Sequence, residues 1–150
     1  MKVLITSDAH GNAKLFDAIV KKHPDVDMHI DLGDFLLDYH DYPQTTFIRG
    51  NRDTWSAKEE QLITTIDGVK ILFVHGHLFH VKNNLRTLWA YASKNKVDVC
   101  YYGHTHKKGK NAIHKIMFIN PGAVKDGFYL IANNDIVKFY NIHDQDETPN

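Results

Sequence analysis

Five short, largely apolar runs of this sequence each end just before residues that can bind a metal ion. Such runs, bounded by polar residues, are typical of buried strands. The runs span residues 3–5, 28–32, 47–48, 71–74 and 99–102, and the residues that follow them are Asp8 and His10, Asp34, Asn51, His75, and His104 and His106. Functional groups of open α/β sheets gather beyond the carboxyl ends of the strands. We therefore predict that these distant side chains meet at one edge of the fold.

The chemistry of this set indicates which ions it would bind. Two carboxylates, one amide and four imidazoles offer oxygen and nitrogen without a thiolate, which suits Mn, Fe, Zn or Ni and disfavours copper(I) and iron–sulfur clusters. Seven ligands are too many for one tetrahedral ion, but with a bridging carboxylate they can serve two ions about 3.5–4 Å apart. We expect two divalent cations, with Mn as first choice and Ni, Zn, Fe or Mg as alternatives.

The remaining pattern predicts two helices and a largely β-stranded last third. Asn12 can cap a helix that ends before His23, and apolar residues at 85, 88, 89 and 92 predict a second helix. The pair Asp67-Gly68 between two apolar runs predicts a two-residue hairpin turn. Strands at 117–119, 128–132 and 136–140 predict a meander. Residues 36–44 are expected to form a loop or irregular helix, and residues 144–150 a frayed tail.

Composition excludes several classes of protein. A length of 150 residues suits one domain, 1–150, and equal numbers of basic and acidic residues, 18 each, provide no overall positive field for a long nucleic acid. No apolar run approaches the ~20 residues that a membrane span needs. The single cysteine, Cys100, allows no intrachain disulfide, and a carboxylate already at position 8 leaves no room for a secretory signal. A cytoplasmic location is expected, with no membrane association.

The ordered motifs resemble the calcineurin-like metallophosphoesterases, especially the small bacterial and archaeal phosphodiesterases of that family. The matching segments are Asp8-Ala9-His10-Gly11, Gly33-Asp34, Gly50-Asn51-Arg52-Asp53, His75-Gly76-His77, Gly103-His104-Thr105-His106 and Asn120-Pro121-Gly122. The resemblance implies an α/β (α+β) fold, a four-layer α-β-β-α sandwich with two mixed β-sheets packed face to face and flanked by helices. It also implies that Asp8, His10, Asp34 and His106 hold one ion, that Asp34, Asn51, His75 and His104 hold the other, and that Asp34 bridges them.

Three residues near these motifs are candidates for catalytic roles. Arg52 stands where many relatives have a histidine; an arginine can neutralise phosphate oxygens but is a poor proton donor. His77 is the substitute candidate for protonating the leaving group, with water as the alternative. Asp53 either orients Arg52 or a ligand histidine, or caps its loop. The other six histidines, expected to be surface or packing residues, are His23, His29, His40, His80, His114 and His143.

We predict from this a phosphoesterase, most simply a phosphodiesterase for small phosphate esters, in which two cations activate a hydroxide for in-line attack. The alternative from a different class of protein is a catalytically weak protein-binding scaffold, similar to the retromer subunit that shares this fold. A nucleotide-directed pyrophosphatase or nuclease is a further alternative. Ligand-competent residues at all seven positions favour the enzyme. The resemblance also suggests a homo-oligomer, for which exposed aromatics between residues 35 and 47 could form an interface.

Overall fold

Both sheets of the computed structural model mix parallel and antiparallel strands. The structure describes residues 1–55, 58–134 and 136–144. The strands are β1 (Lys2–Thr6), β2 (Met28–Asp31), β3 (Thr45–Phe47), β4 (Gln61–Ile66), β5 (Val69–Val74), β6 (Val99–Tyr102), β7 (Gly109–Ile113), β8 (Ile116–Asn120), β9 (Phe128–Asn133) and β10 (Ile136–Asn141), and the helices are α1 (Ala13–Lys22) and α2 (Arg86–Lys94). Short 3-10 turns cover Tyr39–Asp41, His77–Phe79, Val124–Asp126 and Ile142–Asp144.

The order of the strands brings the carboxyl ends of several strands together. The first sheet has the order β10-β9-β1-β2-β3, in which β1, β2 and β3 are parallel. The second sheet has the order β4-β5-β6-β8-β7, in which β5, β6 and β8 are parallel. The predicted ligands follow β1, β2, β3, β5 and β6, so each of them leaves a strand that runs parallel to a neighbour.

Alternation along the strands builds three apolar layers. Val3 and Ile5 of β1 face the second sheet, where they join Phe73 in the core between the sheets. Leu4, on the opposite face of β1, packs in the cluster that contains Phe16 of α1. On the outer face of the second sheet, residues of β5, β6 and β8 pack against α2. Complete burial of each large side chain contributes about 1.5–3 kcal/mol. The predicted four-layer sandwich is confirmed.

Local signals in the sequence act as expected. The side chain of Asn12 accepts a 3.1 Å hydrogen bond from the amide of Leu15 at the start of α1, and α1 ends before His23. Asp67 and Gly68 connect β4 to β5 with φ values of 50° and 82°. Positive φ at both turn residues matches the right-handed twist of a hairpin. None of the helices in the described ranges is both long and apolar enough to cross a membrane.

Two predictions of local structure are wrong, and one strand was not predicted. The third apolar run predicts a strand over residues 46–49, but β3 ends at Phe47, because the amide of Arg49 pairs with the carbonyl of Glu59 outside the sheet. The predicted meander is divided, since β8 lies in the second sheet whereas β9 and β10 lie in the first. Strand β7 was not predicted, because its residues Gly109–Ile113 form a largely exposed edge strand without an apolar pattern.

The aromatic residues between 35 and 47 are packed inward and do not form an exposed surface. Phe35 and Phe47 are buried, and the ring of Phe35 lies 4.7 Å from that of Phe16. Tyr39 and Tyr42 are half-buried in the same cluster. The expectation that these aromatics are exposed is therefore wrong for Phe35 and Phe47, and the homo-oligomer stays a prediction. Of the predicted tail, residues 145–150 lie outside the described residues.

Candidate metal centre

The six predicted aspartate and histidine ligands converge at the carboxyl ends of the strands. They form two groups, Asp8 with His10 and His106, and Asp34 with His75 and His104, and within each group the candidate ligand atoms all lie within 4.8 Å of one another. The loops after β1 and β6 supply the first group, and those after β2, β5 and β6 supply the second. Strands from both sheets therefore contribute to one centre.

The carboxylate of Asp8 is satisfied on one side only. Its Oδ2 accepts hydrogen bonds from Ser7 Oγ at 2.6 Å and from the amide of His104 at 3.0 Å. Its Oδ1 is buried and has no hydrogen-bond partner among the described residues. Nε2 of His10, which lies 3.6 Å from this oxygen, is also buried and also has no hydrogen-bond partner among them. Nε2 of His106 lies 3.4 Å from the same oxygen. Leaving a buried acceptor unpaired costs about 1–3 kcal/mol, and a cation between these atoms would satisfy them together.

Asp34 lies between the two groups. Its Oδ1 accepts a 2.8 Å hydrogen bond from the amide of Arg52, and its Oδ2 lies 3.2 Å from Nε2 of His75. The same Oδ2 is 3.8 Å from Nε2 of His10, which belongs to the first group. This position suits the bridging role that the family resemblance implies for Asp34.

A backbone hydrogen bond fixes the orientation of His75. Its Nδ1 lies 3.0 Å from the carbonyl oxygen of Leu32, to which it can donate, so Nε2 is left to face Asp34. Nδ1 of His104 lies 3.2 Å from this Nε2. Ligand histidines of metal sites commonly use one ring nitrogen in this way and present the other to the ion.

Five of the proposed ligands have a left-handed backbone. The φ values are 56° for Asp8, 49° for His10, 53° for Asp34, 71° for His104 and 64° for His106. Each such residue costs about 1–3 kcal/mol, and strain of this kind concentrates at functional sites. Hydrogen bonds from the amides of Asp8 and His10 to the carbonyls of Gly33 and Asp34 hold two of these turns in place.

The electrostatics of the site keep both carboxylates ionised. Burial favours the neutral form of Asp8, but the contacts with His10 and His106 outweigh it and hold the pKa of Asp8 far below its usual range. Burial likewise opposes ionisation of Asp34, and His75 outweighs it so that the pKa of Asp34 is lowered. Ionised carboxylates are the forms that bind divalent cations.

The imidazoles of the second group respond differently to the same surroundings. Burial, together with the smaller effect of the charge of His75, lowers the pKa of His104 to about 4. For His75, burial acts downward, but Asp34 and Asp8 outweigh it and raise its pKa. At neutral pH His104 is therefore already in the neutral form that a metal requires, whereas the raised pKa of His75 makes its proton harder to remove.

The loop from 50 to 53 contacts the centre through its backbone. The amide of Arg52 binds Asp34, while the side chain of Arg52 is exposed and its guanidinium has no hydrogen bond or ion pair within the described residues. Asn51 is exposed beside it. Its role as a ligand stays a prediction, as does the contact of Arg52 with phosphate.

Asp53 caps this loop and the loop after β2. It is buried, and its carboxylate accepts hydrogen bonds from four amides, those of Asp34 at 2.8 Å, Phe35 at 3.0 Å, Leu36 at 3.2 Å and Gly50 at 2.8 Å. The structure therefore matches the loop-capping alternative, with the difference that one capped residue is the proposed ligand Asp34.

His77 lies beside the second group in the 3-10 turn after β5. Its ring centroid is 5.5 Å from that of His75, and its Nδ1 is buried without a partner among the described residues. Its Nε2 lies 3.3 Å from Oε2 of Glu60, whose Oε1 lies 3.4 Å from the guanidinium of Arg49. The sequence did not indicate Glu60, because it lies outside every motif and precedes a different strand.

Comparison with known proteins agrees with this geometry. Residues 1–132 match the profile of the calcineurin-like phosphoesterase superfamily domain. The chain is 33% identical over 128 residues to the probable metallophosphoesterase YsnB of Bacillus subtilis, covering 83% of this chain and 76% of YsnB.

Two solved structures show the same fold at low sequence identity. An archaeal phosphodiesterase has a TM-score of 0.78 and 20% identity, with 94% of this chain and 99% of that one covered. Zinc-complexed Vps29 of Entamoeba histolytica has a TM-score of 0.79 and 20% identity, with 97% and 94% covered.

Proposed function

The chain belongs to the calcineurin-like phosphoesterase superfamily, and from that premise we propose that it is a metal-dependent phosphodiesterase for small phosphate esters. The observation that carries this proposal is the pair of ligand groups around the unpaired, buried Oδ1 of Asp8. The family and the phosphoesterase class support the general reaction, and the phosphodiester preference is our own inference.

We propose the ligands of each ion from the two groups of side chains. Asp8, His10 and His106 would hold one ion, and His75 and His104, completed by Asn51, the other, with Asp34 shared. We propose Mn²⁺ for both positions, because the mixed oxygen and nitrogen ligands suit it. Two divalent cations bound here would supply the Lewis acidity that activates a water and neutralises a phosphoryl group.

The side chains around the ligands have separate tasks. The free guanidinium of Arg52 binds non-bridging phosphate oxygens, where negative charge grows during the reaction. His77, in its doubly protonated form, would donate the proton to the leaving group, while Glu60, 3.3 Å from its Nε2, orients the ring. Asp53 contributes by positioning the loops that carry Asp34 and Arg52.

A protein-binding scaffold is the second candidate, because Vps29 shares the fold. It is less favoured, since this chain brings six competent ligand side chains together and leaves one carboxylate oxygen of Asp8 unpaired. A nuclease or nucleotide pyrophosphatase acting on long substrates is disfavoured, because the balanced net charge provides no overall positive field to hold a long polyanion. We further propose a cytoplasmic location, for which the buried thiol of Cys100 is suitable.

The proposal can be tested on metal-stripped protein with an aryl phosphodiester and an aryl phosphomonoester, adding back Mn²⁺, Ni²⁺, Zn²⁺ or Mg²⁺ separately. We expect Mn²⁺ to restore turnover, with the diester preferred. Asp34→Asn and His75→Ala should lose at least about a hundredfold in kcat, whereas His40→Ala, which changes an exposed histidine outside the site, should retain it. Equal rates in all four proteins would favour the scaffold.

A further inference from the structure

A buried polar cluster joins the two strands that deliver Asp8 and Asp34, and no step proposed above uses it. The cluster consists of Thr6 at the end of β1 and His29 and Asp31 in β2, which are 0%, 6% and 0% exposed. Thr6 Oγ1 donates a 2.6 Å hydrogen bond to Asp31 Oδ2 and lies 2.8 Å from Nε2 of His29.

Burial of the Asp31 carboxyl group costs free energy. It has no lysine or arginine partner among the described residues, and burial raises the pKa of its carboxyl to about 8. A buried ionisable group without an opposite charge costs free energy in either protonation state. The group is therefore better explained by what its hydrogen bonds hold in place than by a contribution to stability.

The second oxygen of Asp31 connects this cluster to the metal centre. Oδ1 accepts a 3.0 Å hydrogen bond from the amide of Gly33, and the carbonyl of Gly33 accepts a 2.9 Å hydrogen bond from the amide of Asp8. Gly33 has a φ of 113° and packs so tightly that a Cβ would lie 2.6 Å from the amide nitrogen of Gly50. The backbone of Gly33 thus connects Asp31 to Asp8 of the first ligand group, and Asp34 of the second group follows Gly33 directly.

We propose that Asp31, held by Thr6 and His29, is a positioning residue that fixes the Gly33 turn and thereby the spacing between Asp8 and Asp34. The inference rests on the proposed function, because it assigns Asp31 a role in holding the metal pair. Asp31 contacts neither the ions nor the substrate, and acts only through the backbone of Gly33.

The test is a calorimetric titration of Mn²⁺ into the metal-stripped protein. Wild type should bind two ions, and Asp31→Ala and Thr6→Val should bind at least one of them 10- to 100-fold more weakly, the usual effect of losing an outer-shell partner. Asp31→Asn, which keeps an acceptor for the amide of Gly33, should stay within about threefold of wild type. Thr6→Ser keeps the hydroxyl and should do the same.

The matched control is Ile30→Ala, in the same strand and fully buried but facing the core between the sheets. It should lower the thermal midpoint without changing Mn²⁺ affinity. Wild-type affinity in both Asp31→Ala and Thr6→Val, or an equal loss in Ile30→Ala, would overturn the positioning role and leave the phosphoesterase proposal intact. A wild type that binds no second ion would overturn both proposals. Should Asp31→Ala fail to fold, Thr6→Val decides the outcome.

Discussion

Gly103 lies so close to Asp8 that a Cβ at position 103 would be 2.9 Å from Asp8 Oδ2 and 2.1 Å from Ser7 Oγ. This approach brings the end of β6 against the end of β1, so that the amide of His104 reaches the same oxygen of Asp8 at 3.0 Å. The absence of a side chain at Gly103 is therefore a condition for assembling the first ligand group from two sheets.

Gly103→Ala should accordingly weaken metal binding and destabilise the protein. Because the new methyl group has to displace Ser7 or Asp8, we expect a loss of about 1–3 kcal/mol in the free energy of unfolding, together with weaker Mn²⁺ binding by calorimetry. Gly109→Ala is the matched control, since a Cβ there meets nothing within 4 Å. A Gly103→Ala protein that binds two ions like wild type would contradict the prediction.

The stability of the metal-free protein should depend on pH through Asp31. Its pKa of about 8 in the folded state lies above the ordinary value near 3.9, so between these values the native state binds the extra proton and stability falls as pH rises. Folded His29, whose pKa is lowered to about 3, is already neutral, so it adds a rise in stability that fades above pH ~6.5 as the unfolded histidine loses its proton, and this rise is the same with or without Asp31.

Urea unfolding between pH 6.5 and 8 measures this effect. His75, whose pKa is also raised, likewise lowers the free energy of unfolding as pH rises. Wild type and Asp31→Asn are therefore compared by the slope of that free energy against pH. Asp31→Asn should show a shallower decrease than wild type, by up to about 1.4 kcal/mol per pH unit. Identical slopes in the two proteins would show that Asp31 is not neutral in the native state.

The convergence of the six aspartate and histidine side chains could be predicted from the sequence because their signal is local. Each follows an apolar run short enough to indicate a strand, and strands of one sheet that run in parallel end at the same edge. The same logic found the cap at Asn12 and the turn at Asp67-Gly68, where one or two residues determine the conformation.

The supporting residues could not be predicted, because their partners are distant in sequence and their own types are common. Glu60 contacts His77 from the segment before β4, and Asp31 acts on Asp8 only through the backbone of Gly33. The left-handed conformations of residues such as His104 could not be predicted either, since positive φ is uncommon even for histidine, in which it is enriched. The edge strand β7 was missed because an exposed strand needs no apolar alternation.

Metal binding should release a proton from His75. Asp34 and Asp8 raise the pKa of His75, and a ligand imidazole has to be neutral, so the ion competes with a proton. Affinity for Mn²⁺ should therefore fall as pH is lowered through the pKa of His75, by up to about tenfold per pH unit. Calorimetry in two buffers of different ionisation enthalpy counts the protons released. His75→Ala should release fewer than wild type, and an equal number would contradict the assignment.

His77 and Arg52 should be separable by the choice of leaving group. If His77 donates the proton, His77→Gln should slow hydrolysis of an aryl diester with a phenolate leaving group by about 10²–10⁴-fold. A diester with a nitrophenolate leaving group should be slowed much less, because nitrophenolate is less basic and departs without a proton. Glu60→Gln should show the same pattern more weakly, because Glu60 only orients the ring at 3.3 Å. Arg52→Gln should slow both substrates alike, since it acts on the phosphate oxygens that they share. Equal losses for both substrates in His77→Gln would mean that His77 binds phosphate and that water protonates the leaving group.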